Sequence, residues 1–94
     1  MLIDDIKLSL RVKSNTFDNE ITDLINACLT DLKLSGIKNI KDTDFLIRRA
    51  VSIYVKANFG LNNPDIEKLN RAYNNMKNFL TLVNEYTGEI NDGM

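Results

Sequence analysis

The chain has 94 residues, which at about 100 to 200 residues per domain leaves room for one small domain and excludes a multidomain enzyme. Twelve Lys and Arg against thirteen Asp and Glu give a net charge of −1, and 44% hydrophobic with 27% charged residues is a folding composition, which excludes a disordered chain. His is absent, so most hydrolytic and metal chemistries lose their usual proton carrier and ligand.

Hydrophobic spacing predicts an all-α fold, a compact bundle of one short N-terminal helix and three longer ones. The first helix is expected over about residues 4 to 12, with Ile3, Ile6 and Leu10 at helical spacing and Asp4 and Asp5 at the positive end of its dipole. After the break KSNT, a second helix is expected from about Phe17 to Ser35, capped by Thr16 or Asp18 and stopped by Gly36. Its inner face is Ile21, Leu24, Ile25, Cys28 and Leu32. Cys28, the only cysteine, permits no internal disulfide and is expected to be a buried core thiol.

A third helix is expected from about Thr43 to Phe59, with Asp42 or Asp44 as cap and Gly60 as stop. Arg48, Arg49, Ser52 and Lys56 share an arc of about 100°, and apolar residues cover most of the remainder, so this helix should sit centrally. The fourth helix is expected to start at Asn63 as N-cap with Pro64 at its first position, and to run to about Tyr86. Its seam is Ile66, Leu69, Tyr73, Met76, Leu80 and Val83. A second stripe, Ala72, Phe79, Leu82 and Tyr86, is either a protein interface or the seat of the first helix. Residues 88–94, with two glycines and no periodicity, are expected to be a mobile tail.

Several chemistries find no footing. The four glycines are too scattered to cradle phosphate. The carboxylate pairs Asp4 with Asp5 and Asp42 with Asp44 stand at helix starts, where acids cap and oppose the dipole. No catalytic, cofactor-binding or metal residue is therefore nominated, and a non-enzyme without cofactors is expected. The opening MLIDDIKLSL has acid where a signal peptide needs base, and no segment approaches the ~18 continuous apolar residues of a membrane span. A soluble, intracellular protein with no membrane partner is expected.

Charge is unevenly spread: six acids and three bases in residues 1–31, two and six in 32–60, five and three in 61–94. A basic middle meeting the acidic ends of the next copy would favour head-to-tail contacts, although solvated helix faces would look the same. The basic residues Lys33, Lys38, Lys41, Arg48, Arg49 and Lys56 could alternatively meet phosphates, but the loop before the third helix is too long for a helix-turn-helix and a pI of 5.3 is not a DNA binder's. Phe59 and Leu61, beside Gly60, are further surface candidates, with packing under the loop as the alternative.

Four strings run through residues 3 to 87: DDIKLSLRV, FDNEITDLINACLTDLKLSGI, DTDFLIRRAVSIYVKANFG and NNPDIEKLNRAYNNMKNFLTLVNEYT. Together they resemble the head-tail connector proteins of tailed bacteriophages, especially those of phages and prophages of Gram-positive bacteria, sometimes labelled DNA packaging proteins. The most specific parts are FDNEITDLI, LKLSGI and IYVKANFG followed by NPD.

The resemblance implies a connector-like helical domain over residues 1–87 that docks beneath the portal protein as a cyclic homo-oligomer matching portal symmetry. Such a ring extends the DNA channel, offers a platform to a stopper or tail protein, and lets DNA pass without specific binding. It implies a place at the head-tail interface of the virion, reached from the host cytoplasm during assembly, and it carries no catalytic residue. The candidate subunit interface is Arg48, Arg49 and Lys56, paired with acids near the termini, together with Phe59, Leu61, Phe79, Leu82 and Tyr86. Connectors use a C-terminal segment for docking, which places the candidate portal contact at Asn84, Glu85, Tyr86 and Thr87. The alternative function is a small helical regulatory module that binds nucleic acid or protein without catalysis.

Overall fold

The computed structural model describes residues 2–41, 43–60 and 63–88. Among them are five helices and no strand: α1 Leu2–Leu10, α2 Asp18–Leu34, α3 Phe45–Asn58, α4 Ile66–Thr81 and α5 Asn84–Thr87. The chain is all-α, with the four longer helices where hydrophobic spacing puts them. The tail expected to be mobile lies, from residue 89 onward, outside the described residues, as do Asp42 and Leu61.

α3 is the central helix and packs on α1, α2 and α4. Ile47, Ala50, Val51, Val55 and Ala57 are buried along it, while its basic arc is left at the surface. Around it α1 contributes Leu2 and Ile6, α2 contributes Ile21, Ile25, Cys28 and Leu32, and α4 contributes Tyr73 and Leu80. Each outer helix thus buries one stripe, as amphipathic periodicity requires.

Two helix ends close by the same local chemistry. α2 ends with Gly36 at φ +100°, where the Ile37 N–H reaches the Leu32 carbonyl and the Gly36 N–H reaches that of Lys33, both at 3.0 Å. Ile37 and Leu32 are both buried, which supplies the apolar contact of this motif. α1 ends two residues before the expected stop, because Arg11 takes the left-handed conformation at φ +60° and the Val12 N–H bonds the Lys7 carbonyl. Neither Thr16 nor Asp18 caps α2: the Ser14 and Thr16 hydroxyls bond each other at 2.7 Å, and Asp18 pairs with Lys7 at 2.7 Å.

The fourth helix departs from expectation at both ends. Asn63 accepts the Asp65 N–H at 3.0 Å and donates to the Lys56 carbonyl at 2.7 Å, forming a turn that ties α4 back to α3. α4 therefore begins at Ile66, and Pro64 lies in the turn. At the far end α4 stops at Thr81 and does not run to Tyr86. The chain breaks at Leu82 and Val83, and α5 turns Tyr86 into the core. The gain that drives this break is tertiary, in the bonds that Tyr86 makes to Asp44 and to the loop after α2.

Candidate functional site

The surface carries three features: a latch that fixes the C-terminal turn, a basic groove, and an exposed apolar end. The latch centres on Asp44. Its Oδ1 caps α3 by accepting the N–H groups of Leu46 at 2.8 Å and Ile47 at 3.2 Å. The Tyr86 hydroxyl donates to the same carboxylate, at 2.9 Å to Oδ2 and 3.1 Å to Oδ1. The Tyr86 carbonyl accepts the N–H groups of Lys38 and Asn39, and the Asn39 amide donates to the Glu85 carbonyl. α5 is thereby stitched to the loop between α2 and α3. Burial, then the bond to Asp44, pushes the Tyr86 hydroxyl up to about 12.

This geometry corrects the reading of Tyr86 as part of an exposed apolar stripe: it is 9% exposed and its ring belongs to the core. Thr87 is likewise buried, whereas Glu85 is at the surface. Asn84 opens α5. The candidate docking segment is therefore a fastened turn, with its anchor inside and Glu85 outside.

The groove runs over α3 between α1 and α4, with a volume of about 400 Å³. Arg48, Arg49, Ser52 and Lys56 line it from α3, Asp5 and Ser9 from α1, and Leu69 from α4. The sequence arc thus does bring the three cations to one face. Arg48, however, is engaged within the chain: its Nε lies 3.5 Å from Asp5 Oδ2, and its guanidinium stands 5.6 Å from the Phe45 ring centre. Ser9 and Ser52 share a hydrogen bond of 2.8 Å across the groove floor.

The apolar end is where α2 finishes, α3 begins and α4 finishes, joined by the loop and α5. Leu34 is 83% exposed, Phe45 80%, Leu82 81% and Phe79 51%. Phe79 and Leu82 were legible as a second stripe on α4. α1 packs on α2 and α3 and leaves them exposed. Leu34 and Phe45 were missed, although each is out of phase with the buried stripe of its helix and Phe45 shares the arc of Arg49, Ser52 and Lys56. Phe59 lies at the opposite end, half-buried and edge-on to Phe17 at 5.5 Å between ring centres.

A part-buried polar cluster joins α2 to α4. The Tyr73 hydroxyl donates to Asp31 Oδ2 at 2.6 Å, Lys77 Nζ donates to the same oxygen at 3.0 Å, and the Cys28 thiol points at the Tyr73 hydroxyl at 3.7 Å. Burial pushes the Cys28 thiol up to about 11, the wrong direction for a nucleophile. Burial and the bond to Asp31 also raise Tyr73. Burial alone would raise Asp31, but Tyr73 and Lys77 outweigh it and hold the carboxyl below its usual value. Asp31 Oδ2 thus accepts from both Tyr73 and Lys77 and ties α2 to α4.

Among the described residues no group of three His, Cys, Asp or Glu could hold a metal ion, and no helix is long and apolar enough to cross a membrane. No curated protein and no solved structure matches the chain. A family model described as phage connector protein matches residues 2–87, which spans α1 through α5. The chain belongs to the phage connector protein family, a structural family of phage particles.

Proposed function

We propose that this protein assembles as a ring on the portal vertex, extends the DNA channel and joins the DNA-filled head to the tail. The observation that carries the reading is the family match over residues 2–87. The surface supports it, since four large apolar side chains are exposed at one end of a small helical bundle. That end, with the adjoining turn 84–87, is the docking surface for the portal. Tyr86 holds the turn in place from inside, and Leu82 and Glu85 are the groups the portal meets. The groove with Arg49 and Lys56 faces the neighbouring subunit. DNA passes through the lumen without specific contacts, and a stopper or tail protein binds the far side of the ring.

The test is complementation in extracts of a phage lacking this protein. Packaged heads and separate tails are expected to stay unjoined until the purified protein is added. Tailed, infectious particles formed in its absence would refute the proposal.

A further inference from the structure

Two exposed faces of the molecule, one on α3 and one on α2, are opposite in charge. α3 contains no acid, and Arg49 and Lys56 make no ion pair among the described residues. α2 contains no base before Lys33. Glu20 and Asp23 lie one turn apart on its exposed face and are likewise without an ion pair there. Because Arg48 is engaged by Asp5 of its own chain, the uncommitted cations of the groove are Arg49 and Lys56.

These faces also lie on opposite sides of the molecule. Ile47 lines a cleft with Leu29 of α2, and the Tyr54 ring packs 5.1 Å from that of Tyr73, whose hydroxyl meets Cys28 of α2. At about 100° per residue, Ile47 and Tyr54 project opposite to Arg49, Ser52 and Lys56. α3 therefore separates the basic groove from α2, whose acidic face looks away from both. One positive side and one negative far side make a heterologous, head-to-tail pairing that repeats from copy to copy, in place of a two-fold dimer. Short side chains flatten both surfaces, with Ser9 and Ser52 on the groove floor and Asn19, Thr22, Asn26 and Ala27 on α2.

We infer that the groove of one copy receives α2 of the next, with Arg49 and Lys56 meeting Glu20 and Asp23. The inference rests on the ring reading above and names its subunit contact. It replaces the acids near the termini, one of which, Asp5, is already used within the chain.

The test uses two reversed variants, Arg49→Glu with Lys56→Glu, and Glu20→Lys with Asp23→Lys. Their assembly with the portal ring is followed by sedimentation velocity, with circular dichroism to show that helix content is kept. Each variant alone should assemble on the order of a hundredfold more weakly, the effect of like charges brought face to face. Mixing the two should restore assembly, because each then offers the other a complementary face, and so should all four substitutions in one chain. A direct charge contact with the portal would not be rescued by mixing. Undiminished assembly of both variants, or no rescue by the mixture and by the fourfold variant, would overturn this contact and leave the ring standing. Failure of the unaltered protein to assemble in multiple copies would overturn the ring reading itself.

Discussion

Asp44 serves two parts of the architecture at once, since one carboxylate caps α3 and holds the hydroxyl of Tyr86. Its role as a helix cap was legible, because an acid immediately before the apolar run Phe45, Leu46 and Ile47 is a local signal. Its bond to Tyr86 was not, because forty-two residues separate the partners and nothing local marks the pair. Asp44→Ala removes the cap and orphans the hydroxyl, and should destabilise the fold by about 2 to 3 kcal/mol. Tyr86→Phe should cost about 1 kcal/mol, and the two effects should be non-additive in denaturant unfolding because they share one interaction.

Protonation of Cys28, Tyr86 and Asp31 gives the fold a defined pH range. Cys28 and Tyr86 both titrate above their ordinary values, at about 11 and about 12, so the folded state favours their neutral forms. Their contribution is complete below the ordinary thiol and phenol values of about 8.5 and 10. It is lost as pH rises through the folded values. Asp31 is shifted the other way, so its contribution is present above its ordinary value and lost in acid as pH falls through the lowered one. Unfolding midpoints in denaturant should be flat between about pH 6 and 8 and fall above about pH 9. The Cys28 thiol should resist a disulfide-exchange reagent at pH 8 until the chain is unfolded.

At the scale of the helices, periodicity located the four long elements and the centrality of α3, because the apolar residues at 46, 47, 50, 51, 53, 54 and 57 leave one narrow polar arc. The ends were less legible, since they are decided by competing bonds. Asn63 caps a turn and not a helix, and the apolar spacing of Leu80, Val83 and Tyr86 continues through a break that only the tertiary bonds of Tyr86 explain. Arg11 is the other concealed end: no residue type announces a left-handed stop when glycine is absent. Arg11→Gly should relieve that conformation and raise stability by about 0.5 to 1 kcal/mol, measured by urea unfolding. A loss of stability would mean that the Arg11 side chain contributes more than its backbone costs.

At the scale of the molecule, the split of charge was visible in the sequence, but its placement was not. Only the packing of α1 beside α3 shows that Asp5 occupies Arg48, and only the order of helices around α3 sets the basic groove opposite the acidic face of α2. The apolar end was half legible, through Phe79 and Leu82, and completed by Leu34 and Phe45 once the chain ends of three helices met. Leu34→Ser with Leu82→Ser should leave stability within about 0.5 kcal/mol, because both side chains are already exposed. The same double variant should weaken portal binding. Unchanged binding would move the docking surface elsewhere on the molecule.

Sedimentation with a purified portal ring tests most directly whether this chain joins a portal as a ring. Co-sedimentation of many copies per portal is the expected result. No association, with a portal shown competent to bind another partner, would contradict it.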